Sequence, residues 1–350
     1  MENNVQIIEN KALLFKVRNP DRITTVIPKS KVLSDDGLVA QVLVNWDLEE
    51  AIVLKNLKFK DIPSPINATY KWPGLHKPFA HQKVTSSFLT MHRRSFCFNE
   101  QGTGKTASVI WAADYLLSKR IIKRVLVICP LSIMDSAWRN DLFKFAMHRK
   151  VDVAYGRAEK RRDIIAGDAE FVIINYDGLI RPHTWLWMLT GTPASQSPVD
   201  AYGIAKLVNP ENVPRFYGGF RDQVMHKLTQ FKWVPKMNSE QVVHQALQPA
   251  IRFTKEQCLD LPEMTYVTRD VPLTAQQEKY YDLLRKRLIV QAAGEEITTV
   301  NAAANLNKLL QLSGGAVYSD TGEVVQFDAS NRLAVLREVV EESSHKVLVF

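Results

Sequence analysis

The sequence predicts an α/β protein: a P-loop parallel sheet, preceded by a small N-terminal β-rich domain and followed by the beginning of a second α/β lobe. Three observations predict it. Residues 100–106 read Glu-Gln-Gly-Thr-Gly-Lys-Thr. In such a glycine-rich turn, backbone N–H groups converge on phosphate oxygens and the next helix points its positive end at them. Between 76 and 262, apolar strand-like runs alternate with helical spacing, the pattern of a parallel sheet covered on both faces. From about 263 the chain changes to charged amphipathic helices and a hairpin.

The elements follow in order. Residues 1–75 carry strand-like runs at Val5–Ile8, Ala12–Val17, Ile23–Ile27 and Leu38–Val44, separated by Asn-Pro-Asp and Ser-Asp-Asp-Gly turn signals. A short helix is expected over 47–57. Ile62-Pro63-Ser64-Pro65 and Trp72-Pro73-Gly74 read as a linker. In 76–262 the expected helices are His81–Met91, Lys105–Lys119, Ser136–Phe145 and Pro198–Leu207. The strands are Arg94–Phe98, Arg124–Cys129, Val151–Tyr155, Phe171–Asn175 and Thr184–Leu189. Lys119 and Arg120 stand where the second helix should end, which suits its dipole. In 263–350, helices are expected at Thr274–Gln291, Asn301–Leu312 and Asn331–Glu342. A hairpin joins Ala316–Tyr318 to Val324–Phe327, and Lys346–Phe350 reads as a buried strand. A domain that stops on its first parallel strand cannot bury it, so the sequence reads as C-terminally incomplete.

The P-loop assigns roles. Gln101, Gly102, Thr103 and Gly104 would line the phosphates of ATP. Lys105 would reach the β- and γ-phosphates as the catalytic cation, and the Thr106 hydroxyl would ligate Mg²⁺. Asn99 stands where the full motif has a small residue. The balance of 45 Lys+Arg against 37 Asp+Glu gives +8, which favours a polyanionic partner. Basic clusters occur at His92–Arg94, Lys119–Arg124 and Arg157–Arg162, each equally compatible with a solvated surface. Cys97, Cys129 and Cys258 lack metal-ligand spacing and read as thiols of a reducing compartment. No stretch approaches a membrane span and the polar start is no signal peptide, so the expectation is a cytoplasmic protein without membrane contact.

With the loop placed, the order of other segments resembles the Swi/Snf-type ATPases of helicase superfamily two, closest to the compact bacteriophage forms. Pro78-Phe79-Ala80-His81-Gln82 resembles the Q-motif. Val125–Ser132, followed by Trp138, resembles motif Ia. Ile173-Ile174-Asn175-Tyr176 resembles motif Ib, and Leu189-Thr190-Gly191-Thr192-Pro193 resembles motif III. Leu261-Pro262 and Leu273–Gln277 resemble the passage into a second lobe, and Lys346–Phe350 its first strand. The resemblance covers about 78–350 and implies two RecA-like lobes, the second only begun. It further implies an ATP-dependent motor on double-stranded DNA in a bacterial or phage-infected cell. Gln82 would read the adenine. Pro130, Leu131, Ser132, Asn175 and Tyr176 would touch the nucleic-acid backbone, and Thr190, Gly191 and Thr192 would couple that grip to the nucleotide.

Two parts of the family pattern are missing. The resemblance calls for a strand ending in Asp-Glu between motifs Ib and III, to position Mg²⁺ and the attacking water. Only Asp177–His183 lie between Tyr176 and Thr184. Successive parallel strands need a crossover of about a dozen residues or more, so a segment is expected to be absent near Ile180–Arg181. Alternatively Phe171–Asp177 is itself a degenerate form of that strand. The second lobe's later motifs, with their arginine finger, are also missing. The readings that stay open are the DNA-dependent ATPase, a nucleotide- and DNA-binding module without turnover, and a P-loop kinase or transferase that keeps only residues 100–106.

Overall fold

The computed structural model describes residues 5–175, 185–229, 232–260, 265–286, 289–292, 295–298, 302–319 and 322–349. Its contacts group into two compact units, Met1–Leu261 and Pro262–Phe350.

The first unit opens with an antiparallel sheet of β1 (Val5–Ile8), β2 (Ala12–Val17), β3 (Lys31–Asp35) and β4 (Ala40–Asn45) in the order β1-β2-β4-β3. Alternation along β2 and β4 turns Leu13, Phe15, Val42 and Val44 into one core, closed by α2 (Leu48–Asn56). The expected strand over 23–27 is instead α1 (Asp21–Thr24). Asn19 Oδ1 accepts the Asp21 N–H, and Pro20 supplies the carbonyl that the Ile23 and Thr24 N–H groups bond. This local hydrogen bonding outcompetes the β-branched composition. The strand slot passes to β3, whose residues are all exposed and gave no alternation to read.

After α3 (Ile66–Thr69) comes α4 (Ala80–Thr90), whose first turn is closed by the Phe79 N–H donating to Gln82 Oε1 at 2.9 Å. Strand β5 (Arg94–Cys97) leads into α5 (Lys105–Ser118), buried from Ala107 to Leu117. A helix buried on all sides belongs inside a layered core, and its buried polar residues Ser108 and Asp114 have hydrogen-bond partners. Next come β6 (Val125–Ile128), a π turn over Met134–Arg139, α6 (Asn140–Phe145), β7 (Val151–Ala154), α7 (Ala158–Ala166) and β8 (Phe171–Ile174). Helix α7 was hidden by the charged run Arg157–Arg162, because none of its residues is buried.

Beyond β9 (Leu186–Leu189) lie α8 (Ala201–Val208), α9 (Tyr217–Val224), the antiparallel pair β10 (Met225–Lys227) and β11 (Trp233–Pro235), α10 (Ser239–Ala246), β12 (Ala250–Ile251) and α11 (Lys255–Cys258). All parallel pairings hold, but they form two three-stranded sheets among the described residues, not one: β12-β5-β9 and β6-β8-β7. Helix α5 packs on both, with Trp187 of β9 and Trp138 bridging the two clusters. The strands on either side of the short connection, β8 and β9, therefore fall in different sheets. The connection itself, Tyr176–Thr184, lies outside the described residues, and with it the missing segment near Ile180–Arg181, the degenerate-strand reading of Asp177, and the first residue of the expected strand Thr184–Leu189.

In the second unit, Thr274 caps α12 (Ala275–Lys286). The Gln277 N–H donates to Thr274 Oγ1, and the Thr274 N–H donates to Gln277 Oε1. The helix expected to reach Gln291 is described to Lys286, and by Ile289 the chain is in a strand. Ile289–Ala292, as β13, pairs antiparallel with β14 (Glu295–Thr298). Then come α13 (Ala302–Gly314), the hairpin β15 (Ala316–Tyr318) and β16 (Val324–Gln326), and α14 (Ser330–Glu342). Leu284, Leu312, Val317, Val325 and Phe327 form its core. Lys346–Val349 adopt no strand; a strand requires a neighbour for its ladder bonds, and none pairs with them among the described residues.

Candidate nucleotide and nucleic-acid site

The chain turns sharply after β5. Gly102 and Gly104 hold φ of +84° and +74°, the left-handed region that glycine enters at no steric cost. Gly104 is the residue before α5, so the loop delivers the helix N-terminus to its own concave side. A Cβ at Gly104 would run into the Gln82 side-chain amide.

Lys105 is half-buried, and its Nζ donates to the Asn99 carbonyl at 2.6 Å and the Glu100 carbonyl at 2.9 Å. Burial lowers its pKa from the ordinary lysine value, while Cys97 and Glu100 act the other way. The ammonium thus rests on two neutral carbonyls, which an anionic phosphate can replace with stronger charge-assisted bonds. Thr106 follows in the first turn of α5, half-buried.

The loop is braced from three sides. His81 Nε2 lies 2.8 Å from the Thr103 carbonyl, and Gln82 Nε2 donates to the same oxygen at 3.5 Å. Gln82 is 7% exposed, so it is no ordinary surface residue of α4. Buried Asn99 donates to Thr85 Oγ1 and accepts the Phe253 N–H at 3.1 Å. The Glu100 carboxylate accepts the Lys255 N–H at 2.9 Å and sits 3.9 Å from the Arg252 guanidinium. The sequence singles out His81 within the Q-motif-like run and Asn99 beside the P-loop but gives neither a role in the site, whereas 252–255 carry no local signal and reach the loop only through the β12–β5 pairing.

The loop after β9 meets the P-loop. The Thr190 N–H donates to the Cys97 carbonyl at 3.2 Å, and Thr190 Oγ1 accepts the Thr192 N–H at 3.2 Å. A Cβ on Gly191 would lie 3.8 Å from Gln101 Cγ and 3.9 Å from the Asn99 carbonyl oxygen. Pro130, Leu131 and Ser132 follow β6, and Asn175 follows β8 on the adjacent strand, the two ends tied by the Cys129 N–H donating to the Ile174 carbonyl at 3.1 Å. The structure therefore brings 101–106 together with 190–192, and 130–132 together with 175. Tyr176 lies outside the described residues. All three cysteines are free thiols. Among the described residues no helix is long and apolar enough to cross a membrane.

A family model of the SNF2-related domain matches residues 81–186 and 183–314, in two stretches that meet beside the short connection. Protein p41 of Acyrthosiphon pisum secondary endosymbiont phage 1 is 23% identical over 321 aligned positions, which cover 76% of this chain and 70% of that protein. Among solved structures, the SWI2/SNF2 ATPase core of Sulfolobus solfataricus in complex with dsDNA aligns at 19% identity and TM-score 0.46, over 77% of this chain and 65% of that one. The chain thus spans just under two thirds of that core. The UvsW helicase of bacteriophage T4 aligns at 13% identity and TM-score 0.35, over 73% of this chain and all of the other.

Proposed function

The chain belongs to the family of SNF2-related domains, and from that membership we propose that it binds ATP with Mg²⁺ at 101–106 and double-stranded DNA at the loops following β6, β8 and β9. The parent activity on this reading is ATP hydrolysis that drives movement along the duplex. One observation carries it: Lys105, the helix N-terminus of α5 and the glycine turn converge on one spot, with Thr190 and Gly191 packed beside it.

The residues fit a polyphosphate. Gly102 and Gly104 leave a cradle that side chains would fill, and the Lys105 ammonium can leave its two carbonyls to meet β- and γ-oxygens. For the metal, the chain offers the Thr106 hydroxyl. Mg²⁺ keeps several waters and leans on substrate phosphates, so one protein ligand is compatible with binding. When bound, the ion would neutralise charge on the β- and γ-phosphates. Thr190 bonds β5 through the Cys97 carbonyl, so displacement of the P-loop would be felt directly in the loop after β9.

A second reading, nucleotide and DNA binding without turnover, has its own support. No glutamate occurs between Asn175 and Leu189 and the single acid there is Asp177. Titration of fluorescent ATP in Mg²⁺ decides the shared core of both readings. Wild type should bind and Lys105→Ala should lose at least tenfold in affinity; equal affinities would remove the P-loop assignment.

A further inference from the structure

Helix α9 and the β10–β11 pair border a shallow, open surface pocket of about 570 Å³, lined by Arg221, His226, Lys227, Trp233 and Lys236 beside Asp222. Neither the motif reading nor the P-loop chemistry uses it. The Arg221 guanidinium lies 4.0 Å from the Trp233 ring centroid, and Lys227 Nζ lies 5.8 Å from it. Arg215 stacks on exposed Phe216 at 5.4 Å. From 215 to 236 the chain carries Arg215, Arg221, Lys227, Lys232 and Lys236 against the single acid Asp222.

That acid is already taken. Arg221 Nη2 sits 3.0 Å from Asp222 Oδ1. Lys236 Nζ donates to the Asp222 backbone carbonyl, which compensates no charge. Two cations therefore share one indole ring while Lys227 and Lys232 have no carboxylate partner among the ion pairs of the described residues. Aromatic quadrupoles offset part of the repulsion. The remaining positive potential, concentrated in a concave wall, favours an anion.

The position of the cavity narrows the anion's identity. Met225, the first residue of β10, accepts a hydrogen bond from Ser197 Oγ at 3.8 Å, just after the Thr190–Pro193 loop. Met225 also shares a core cluster with Phe98, the residue that follows β5. The basic hairpin thus begins beside the strand ends that carry the candidate site. The cations are spread over α9 (Arg221), the end of β10 (Lys227) and the residues flanking β11 (Lys232 and Lys236) rather than gathered around a point.

We propose that the α9/β10–β11 cavity is a second contact for the sugar–phosphate backbone of duplex DNA. Arg221, Lys227 and Lys236 line it and supply charge, exposed Lys232 adds to them from the residue before Trp233, and Trp233 holds Arg221 and Lys227 in place. This rests on the reading above that nucleic acid is the partner, and it adds a binding surface to the three loops.

Lys227 and Lys232 are exposed, and glutamine keeps most of the lysine stem that lies over Trp233 at position 227, so Lys227→Gln/Lys232→Gln in the full chain is the informative variant. Each phosphate contact contributes a slope of about −0.9 in log K against log salt. The variant should bind a 30-base-pair duplex about 10- to 100-fold more weakly at low salt, with the slope reduced by about 2. Its affinity for fluorescent ATP should be unchanged. A Lys227→Glu variant should weaken duplex binding further. Equal affinity and slope for wild type and both variants would overturn the hairpin contact while leaving the three loops as the binding surface. Absence of salt-dependent duplex binding by wild type would instead overturn the nucleic-acid reading itself. If the variants lose affinity for inorganic phosphate but keep the duplex slope, the cavity takes free anions and the proposal fails.

Discussion

Gly104 shows how one atom can decide the site. Its φ of +74° and the nearby Gln82 amide exclude a side chain. Gly104→Ala should cost about 1–2 kcal/mol in left-handed strain. It should also push Gln82 off the Phe79 N–H and the Thr103 carbonyl. Because the obstacle is a side-chain end, the cost should shrink by about 0.5 kcal/mol or more in a Gln82→Ala background. Additive losses in urea unfolding would refute the contact. His92 makes a second residue-scale case. Its ring is stacked on Phe88 at 4.1 Å, and Nδ1 lies 2.7 Å from the Phe88 carbonyl. Burial pushes its pKa down to about 4, with the Phe88 carbonyl opposing and Lys55 adding to the effect. Between about 4 and the ordinary value of 6.5, the unfolded chain holds the extra proton, so stability is full above 6.5 and falls as pH drops toward 4. Allowing for partial exposure, the loss is roughly 2 kcal/mol. His92→Gln should flatten that part of the profile; unfolding midpoints that run parallel for both proteins from pH 7 to 4 would dismiss it.

At the scale of elements, the joint between the segment after α3 and the P-loop layer is a charge cluster centred on buried Asp114. Asp114 of α5 is 2% exposed. It accepts from Tyr70 Oη, from Arg149 Nε at 2.5 Å, and lies 2.9 Å from His148 Nε2. Arg149 in turn donates to Glu170, just before β8, at 2.6 Å. Around it, Leu48, Ala51 and Ile66 pack with Met91, Tyr115 and Leu116. Such a pair adds little net stability when intact, but removing one partner strands the other. Asp114→Ala should therefore destabilise the first unit by about 3–5 kcal/mol, read as a lowered urea midpoint. A loss below about 1 kcal/mol would mean that water reaches Arg149 freely.

At the scale of the whole molecule, the balance lies between binding and turnover. A P-loop can cradle phosphates alone, but hydrolysis also needs a carboxylate to hold Mg²⁺ and orient water. Between Asn175 and Leu189 the sequence holds one acid, Asp177, and no glutamate. The 350-residue chain should bind ATP yet show no duplex-stimulated ATPase above the Lys105→Ala background. DNA-dependent turnover abolished by Asp177→Ala would reverse this and make 171–177 the acidic strand.

Local chemistry wrote much of this protein directly into its sequence. The P-loop, the strands β5 to β9 and the helices α4 and α5 were legible because glycine placement, short apolar runs and helical periodicity are near-neighbour signals. The hairpin Ala316–Tyr318 with Val324–Gln326 was legible for the same reason. Other features were not legible in periodicity. Local hydrogen bonds from Asn19 and Pro20 made α1 a helix where composition predicts a strand, β13 pairs with the adjacent β14 where a helical pattern was expected to continue, and long-range pairing divided the parallel strands into two sheets. In the site, Lys105 and Thr106 were named from the motif alone. The clamp of Asn99 and Glu100 by Phe253 and Lys255 spans about 150 residues, and only the β12–β5 pairing creates it. Periodicity and turn chemistry are properties of neighbours along the chain; which strand edges meet, and which polar groups they bury together, is settled by tertiary packing.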